Sequence, residues 1–147
     1  MNPWSSNYKS HQGNVGLGRA IAYYTANCIP VLLPLNDTQS YDLVVDKDGQ
    51  LQRVSVKTTQ FKNSSNKYEV LLKNCGGSSG KSKIRHFDKK SCDIVFIVTI
   101  KGTMYEIPSD VIEVKHTLTL TSELNKYIVN LNWGTSDPDE NQEVEAG

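Results

Sequence analysis

Two runs of alternating apolar and polar residues, Tyr41-Asp-Leu-Val-Val and Gln52-Arg-Val-Ser-Val-Lys-Thr58, flank Asp48-Gly49. An Asp-Gly pair between alternating strands is a strong hairpin signal. Counting outward from that turn pairs Val44 with Arg53, Leu43 with Val54, Asp42 with Ser55 and Tyr41 with Val56. Because side chains alternate with a period of two, Leu43, Val45, Val54 and Val56 form one apolar face. The other face gathers a carboxylate, a hydroxyl and two cations: Asp42, Ser55, Arg53 and Lys57.

The remaining elements follow from the same patterning. Leu17, Ile21, Tyr24 and Cys28 recur at helical spacing between Gly13 and Asn27 and predict an amphipathic helix. Gly13, Gly16 and Gly18 lower its propensity but leave room for a close approach to a sheet. Residues 1–12 are polar and expected to be loose. Val31-Leu-Leu33, between Pro30 and Pro34, suits an edge strand or the start of one. Asn36 to Ser40 is turn-like, which makes Asp37 an exposed loop residue in preference to a metal ligand.

Tyr68 to Lys73 reads as a further strand, followed by a glycine- and serine-rich basic loop from Asn74 to Arg85. Ile94 to Ile100 is apolar throughout and rich in β-branched residues, as expected of a central strand buried on both faces. Met104 to Ile107 is its predicted hairpin partner. Ser109 is placed to cap a short helix through Glu113, and Thr121-Ser-Glu123 to start a helix reaching Leu131. The result is an α/β (α+β) chain with a mixed β-sheet flanked by helices. One domain covers residues 1–133, and an acidic disordered tail covers 134–147.

Composition adds little, but charge placement adds a good deal. A 37% hydrophobic and 22% charged chain is ordinary for a globular domain. No apolar run approaches the roughly 20 residues that span a bilayer, and the N-terminus has no secretory pattern. Cys28, Cys75 and Cys92 fit neither a disulfide framework nor a zinc site, so a reducing cytoplasm is the expected compartment.

The net charge of zero conceals an asymmetry. Five acids and no base lie in residues 137–147, leaving 11 acids against 16 Lys and Arg elsewhere. From Lys57 to Lys90 nine basic residues meet only Glu69 and Asp88, which suggests a surface for a polyanion. Gly80-Lys81-Ser82 ends like a phosphate-binding P-loop, but Cys75 stands where the first glycine is required, so no nucleotide is expected.

Asp42 ahead of one strand and Ser55-Val56-Lys57 on the next resemble the core of the PD-(D/E)xK nucleases. Gly13-Asn-Val-Gly16, Leu33-Pro-Leu35, Ser78-Ser79 and Tyr105-Glu-Ile-Pro108 extend the resemblance from Lys9 to Glu113. It is strongest toward the small bacterial branch that includes a homing endonuclease encoded in a group I intron. The resemblance implies a magnesium-dependent endonuclease, with manganese as a substitute, cutting double-stranded DNA at a long specific site. It also implies a homo-oligomer, a dimer or tetramer, because two strands need two active sites.

Carried over by position, Asp42, Ser55 and Lys57 are the catalytic set. Asp42, Ser55 and the carbonyl of Val56 are the metal set. Magnesium prefers hard oxygen ligands, and an ammonium at Lys57 can orient water or stabilise the pentacoordinate phosphate. Arg53, Lys62, Lys67, Lys73, Lys81, Lys83, Arg85 and Lys89 are the expected DNA-binding cations. The chain departs from the family twice. Ser55 stands where Glu, Asp or Gln is usual, and Leu17 about where a helix Glu is common. A binding module that has lost cleavage and a junction-resolving nuclease are therefore the alternatives.

Overall fold

A computed structural model describes residues 1–72 and 86–131, and the backbone of 74–76 and 83–85. Its centre is β7 (Ile94–Thr99), all six residues of which are buried. Alternation sends Val95 and Ile97 into one apolar cluster and Ile94, Phe96 and Val98 into the other. The apolar run therefore forms the expected central strand, and its burial divides the core into two halves.

Around β7 a six-stranded mixed sheet runs in the order β1 (Val31–Leu32), β2 (Leu43–Lys47), β3 (Gln50–Thr59), β7, β8 (Met104–Pro108) and β10 (Ile128–Val129). Only β3 and β7 pair in parallel, from Val54 opposite Ile94 to Thr59 opposite Thr99. The other four pairings are antiparallel. The β2–β3 register is the predicted one, with Leu43 opposite Val54 and Val44 opposite Arg53. Asp48 and Gly49 both adopt positive φ, at 53° and 86°, as a type I′ turn requires. Asp46 Oδ1 accepts the Gly49 N–H at 2.8 Å and fixes that turn.

The ladder stops two steps earlier than counting from the turn implies. Asp42 N–H donates to the Val54 carbonyl, and no rung joins Asp42 to Ser55 or Tyr41 to Val56. One face of the sheet is covered by the long helix α1 (Lys9–Ala26). It starts four residues before the glycines, so the end of the segment expected to be loose is helical. Its buried residues are Gly16, Ala20 and Tyr24, while Leu17 and Ile21 are only partly covered. Cys28 lies beyond the helix, exposed and at φ 57°. The Ile29 N–H reaches the Tyr24 carbonyl and the Cys28 N–H that of Thr25, so the chain closes the helix with a Schellman motif in place of another turn.

Gly16 makes the close approach. A Cβ there would stand 2.5 Å from Thr58 Cγ2 and 3.2 Å from Val56 Cγ1, whereas one at Gly13 or Gly18 would meet nothing. On this face Lys47 Nζ also meets Glu106 Oε1 at 2.8 Å. Beside that pair the Tyr24 hydroxyl is pushed far up by burial and by the Glu106 carboxylate.

The opposite face carries a ribbon of β4 (Glu69–Leu71) and β9 (Thr117–Thr119), whose Val70 and Leu118 join the cluster of Val95 and Ile97. The strand predicted over Tyr68 to Lys73 is thus three residues long and lies outside the main sheet. β5 (Asn74–Gly76) and β6 (Lys83–Arg85) pair with each other, so both ends of the expected basic loop are strand. Two helices shrink. Ser109–Val111 is a single 3-10 turn, and Ser109 Oγ donates to the carbonyls of Cys92 and Lys89 and does not cap it. Ser122–Tyr127 is also 3-10 and gives way to β10, because Ile128 and Val129 pair with Tyr105 and Met104. Among the described residues the sheet is therefore flanked by one α-helix, on one face. The acidic tail from 134 onward lies outside the described residues.

The parallel pair is locked at its entrance. Asp93 Oδ2 accepts from the Arg53 backbone N–H at 2.8 Å and from its Nε at 3.1 Å. Arg53 Nη2 reaches Asp93 Oδ1 and the Lys90 carbonyl, and Asp93 N–H donates to the Arg53 carbonyl. The Arg53 guanidinium holds the Asp93 carboxyl below the usual carboxylate range.

Two predictions follow from this packing. Gly16→Ala should destabilise by about 1–3 kcal/mol through overpacking against Thr58, whereas Gly13→Ala should stabilise by up to about 1 kcal/mol. Urea denaturation of both variants checks the opposite signs. The Asp93 pKa is depressed in the fold, so its contribution is complete above the unfolded value and vanishes as pH falls through the folded one. Asp93→Asn should therefore cost about 1 kcal/mol at pH 7, and the difference from the parent should close below about pH 4. Melting temperatures measured from pH 2 to 7 would expose a constant difference instead.

Candidate active site

The site is built where β2 ends and β3 continues. Past Leu43 the strand no longer pairs, so β3 has one edge without a backbone partner from β2. The Asp42 side chain takes over, and its Oδ2 accepts the Val56 N–H at 2.6 Å. Within a strand the N–H and C=O of one residue point to the same side. The Val56 carbonyl therefore opens toward Asp42. Asp42 itself is exposed, as a ligand to a solvent-borne ion or phosphate must be.

Ser55 and Lys57 point to the face opposite α1, alongside Val95 and Ile97 of β7. Ser55 is only 5% exposed, so its hydroxyl lies in the wall of the site and not at its mouth. Lys57 is held below the ordinary lysine value by burial, against the pull of the Asp42 carboxylate. The same interaction ties Lys57 electrostatically to Asp42 and to Cys92. The Cys92 thiol is itself pushed up by burial. Asp42, Ser55, Val56 and Lys57 are thus brought together by one strand end and one strand centre.

Leu17 lies on the opposite wall. It shares with Asp42 a groove of about 470 Å³, lined also by Leu33, Asp37, Gln39 and Tyr41. The helix position at which the resemblance expects an acid thus lines the Asp42 groove but carries an isobutyl group. Asp37 is exposed on its loop, as expected, and lines the same groove. Among the described residues no group of three or more His, Cys, Asp or Glu side chains is placed to hold a metal ion. The remaining donors are one carboxylate, one backbone carbonyl and one hydroxyl. They suit a magnesium ion that keeps waters and takes phosphate oxygens, which needs only one or two carboxylates from protein.

The predicted cations divide into separate groups. Arg53 is anchored to Asp93, and Lys89 Nζ meets Glu113 at 3.3 Å. Lys62 and Lys67 are exposed on the loop before β4, with Lys62 Nζ 4.9 Å from the Tyr68 ring centre. Lys83 and Arg85 fall on β6, described by backbone alone. Lys73 and Lys81 lie outside the described residues. Asp93, which anchors Arg53, has no place in the sequence analysis above. An acid next to the central strand, with an arginine at the matching point of its neighbour, was the available signal.

No helix among the described residues is long and apolar enough to cross a membrane. No curated protein matches the chain. A solved bacterial homing endonuclease, I-Ssp6803I, is similar in structure, with a TM-score of 0.67 and 24% identity. The match covers 77% of this chain and 78% of that one. At that identity the likeness speaks for the fold. A family model described as PD-(D/E)XK endonuclease matches residues 8–130, from just before α1 to β10. The chain therefore belongs to the PD-(D/E)XK endonuclease family, whose members generally use divalent metal ions.

Proposed function

We propose that this chain is a magnesium-dependent endonuclease that cuts double-stranded DNA at a long specific site, as a homing endonuclease does, and acts as a homo-oligomer. The observation that carries the proposal is the Asp42–Val56 hydrogen bond. It fixes a solvent-facing carboxylate beside an outward carbonyl, one residue from Ser55 and Lys57. Asp42 and the Val56 carbonyl would hold the metal, with the Ser55 hydroxyl as a neutral third donor. The metal, when bound, neutralises phosphate charge and lowers the pKa of its water.

The protein's own share is positional. Asp42 keeps the backbone of β3 in place through Val56. Lys57, partly desolvated, presents an ammonium whose field is little screened and is aimed at the charge developing on the transferred phosphate. Lys62 and Lys67 stand exposed as phosphate contacts, and Lys73, Lys81, Lys83, Arg85 and Lys89 extend the same basic segment of sequence. Arg53 serves the site indirectly, by holding β3 against the loop before β7.

A second reading is favoured by Leu17 in the Asp42 groove and by the single carboxylate of the donor set. In it the chain binds DNA but cleaves weakly or not at all. Supercoiled plasmid carrying a candidate target distinguishes the two. Linear product in magnesium, abolished by chelator and reduced about 10²–10³-fold in Lys57→Ala, is the expected result. Cleavage by Ser55→Gln alone would make this chain the disarmed form. Preference for a four-way junction over linear duplex would turn the reading toward a resolvase.

The Lys57 pKa adds a pH signature. Burial depresses it, so the cationic form is lost at a lower pH than for a free lysine. Cleavage should fall on an alkaline limb that begins below pH 10.5 and moves upward in Lys57→Arg. A limb at the same pH in both proteins would remove Lys57 from the charge-stabilising role.

A further inference from the structure

β3 and β4 are joined by an ordered hairpin. Residues 57–68 contain Lys57, Lys62 and Lys67 and no acid. Lys62 pairs with Tyr68 across the hairpin. At the tip the Asn63 side chain accepts the Ser65 N–H at 3.0 Å and the Lys67 N–H at 3.1 Å. Asn63 N–H donates to the Lys67 carbonyl and Asn66 N–H to the Asn63 carbonyl, and Asn66 takes the positive φ of 60° that closes the turn.

Phe61 opens this hairpin and is 71% exposed. One exposed apolar side chain needs no explanation by itself. This one differs in how it is mounted. Its N–H donates to the Thr59 hydroxyl at 3.3 Å, and its carbonyl accepts the Glu69 N–H at 2.9 Å. Thr59 is buried, and its hydroxyl donates on to the Glu69 carbonyl. The backbone of Phe61 is thus tied to the end of β3 and to β4 while its ring stands in solvent. Beside it Lys62 Nζ lies over the Tyr68 ring, which restrains that ammonium.

An apolar ring on a fixed backbone with cations alongside has the chemistry of a base-stacking wedge: the ring meets a base and the ammonium groups take phosphates. An apolar partner is a poorer match, because the neighbours of the ring along the hairpin are lysines and exposed Ser64, Ser65 and Asn66. The spacing from the site also suits DNA. Phe61 lies four residues beyond Lys57, an extended span of about 13 Å. At about 3.4 Å per base along a strand, that is roughly four base steps.

We propose that the 61–68 hairpin wedges duplex DNA, with Phe61 stacked into a base step near the cut and Lys62 and Lys67 on the phosphates beside it. This rests on the DNA-binding part of the proposed function and not on cleavage. It adds a source of site preference that needs no hydrogen bond to a base. Pyrimidine–purine steps unstack most readily, so a TA or CA step at that distance from the cut is favoured.

Titration of Phe61→Trp with short random-sequence duplex DNA in chelator tests it, with circular dichroism melting as the check on folding. Tryptophan emission should be quenched beyond the change seen in the parent, which carries Trp4 and Trp133. Phe61→Ala should bind about 5- to 100-fold more weakly with an unchanged salt slope. Lys62→Ala should lower that slope by about one.

Emission quenched no more than in the parent, or Phe61→Ala binding as tightly as the parent, overturns the wedge. Cleavage by the parent then leaves the nuclease reading intact. Quenching by single-stranded DNA but not by duplex overturns the wedge as well. Quenching and weakened Phe61→Ala binding in a chain that never cuts support the wedge while ending the nuclease reading. No DNA binding by the parent at low salt removes both.

Discussion

The parallel pairing of β3 with β7 is the constraint on which the rest of the structure depends. The other pairings of the main sheet are antiparallel, and β2–β3 and β7–β8 are each set by a short turn. This one joins segments about 40 residues apart, as the Arg53–Asp93 pairing records, and no short turn can fix it. Its register is held by the doubled hydrogen bonding of Arg53 to Asp93 at one end. Along its length the alternation of β7 sorts side chains between two cores. A slip of one residue would send Ser55 and Lys57 to the helix face and Val54 and Val56 to the site. Specificity of register is therefore also the condition for assembling the site.

The site exploits a place where regular structure is incomplete. A fully paired β2–β3 ladder would bury the Val56 N–H and carbonyl in backbone hydrogen bonds. Because β2 begins only at Leu43, the Asp42 side chain completes one of those bonds and the carbonyl is left facing the same opening. Lys57, two residues further on, pays for its position with desolvation, since burial weakens its hold on a proton. A structural lysine would be better solvated. Here the cost accompanies a cation placed where the local dielectric is low, which is where its field acts most strongly on a phosphate.

Much of this was legible in the sequence because the decisive patterns are local. The Asp48-Gly49 turn, the β2–β3 register, the buried run of β7 and its return as β8 all follow from alternation and turn chemistry. What was not legible depends on contacts between distant segments. Of the predicted stripe of Leu17, Ile21, Tyr24 and Cys28, only Tyr24 is fully buried, and the helix buries Gly16 and Ala20 with it. The face against the sheet is chosen by how closely the backbones approach, and Thr58 leaves no space for a side chain at position 16. The 3-10 segment at Ser122–Tyr127 ends where β8 recruits Ile128 and Val129, a demand made by a strand about 20 residues earlier. The individual metal and DNA roles of the site residues rest on the family resemblance and on the proposal built from it.

Gly16 and Leu17 together indicate how this site relates to one with a helix acid. Gly16 sets the distance of α1 from Val56 and Thr58, and the next residue necessarily turns toward the flank of the helix, into the groove of Asp42. The helix thus holds a side chain at the position from which a carboxylate would reach the Asp42 opening, although that side chain is leucine. In the nuclease proposed above, leucine there removes one negative charge from the entrance that a DNA phosphate would approach, at the expense of a ligand for the metal. A single carboxylate would hold an ion weakly in the free protein, and phosphate oxygens would supply what the helix does not. Metal capture and DNA docking would then be coupled, the ion offsetting the repulsion between Asp42 and the polyanion.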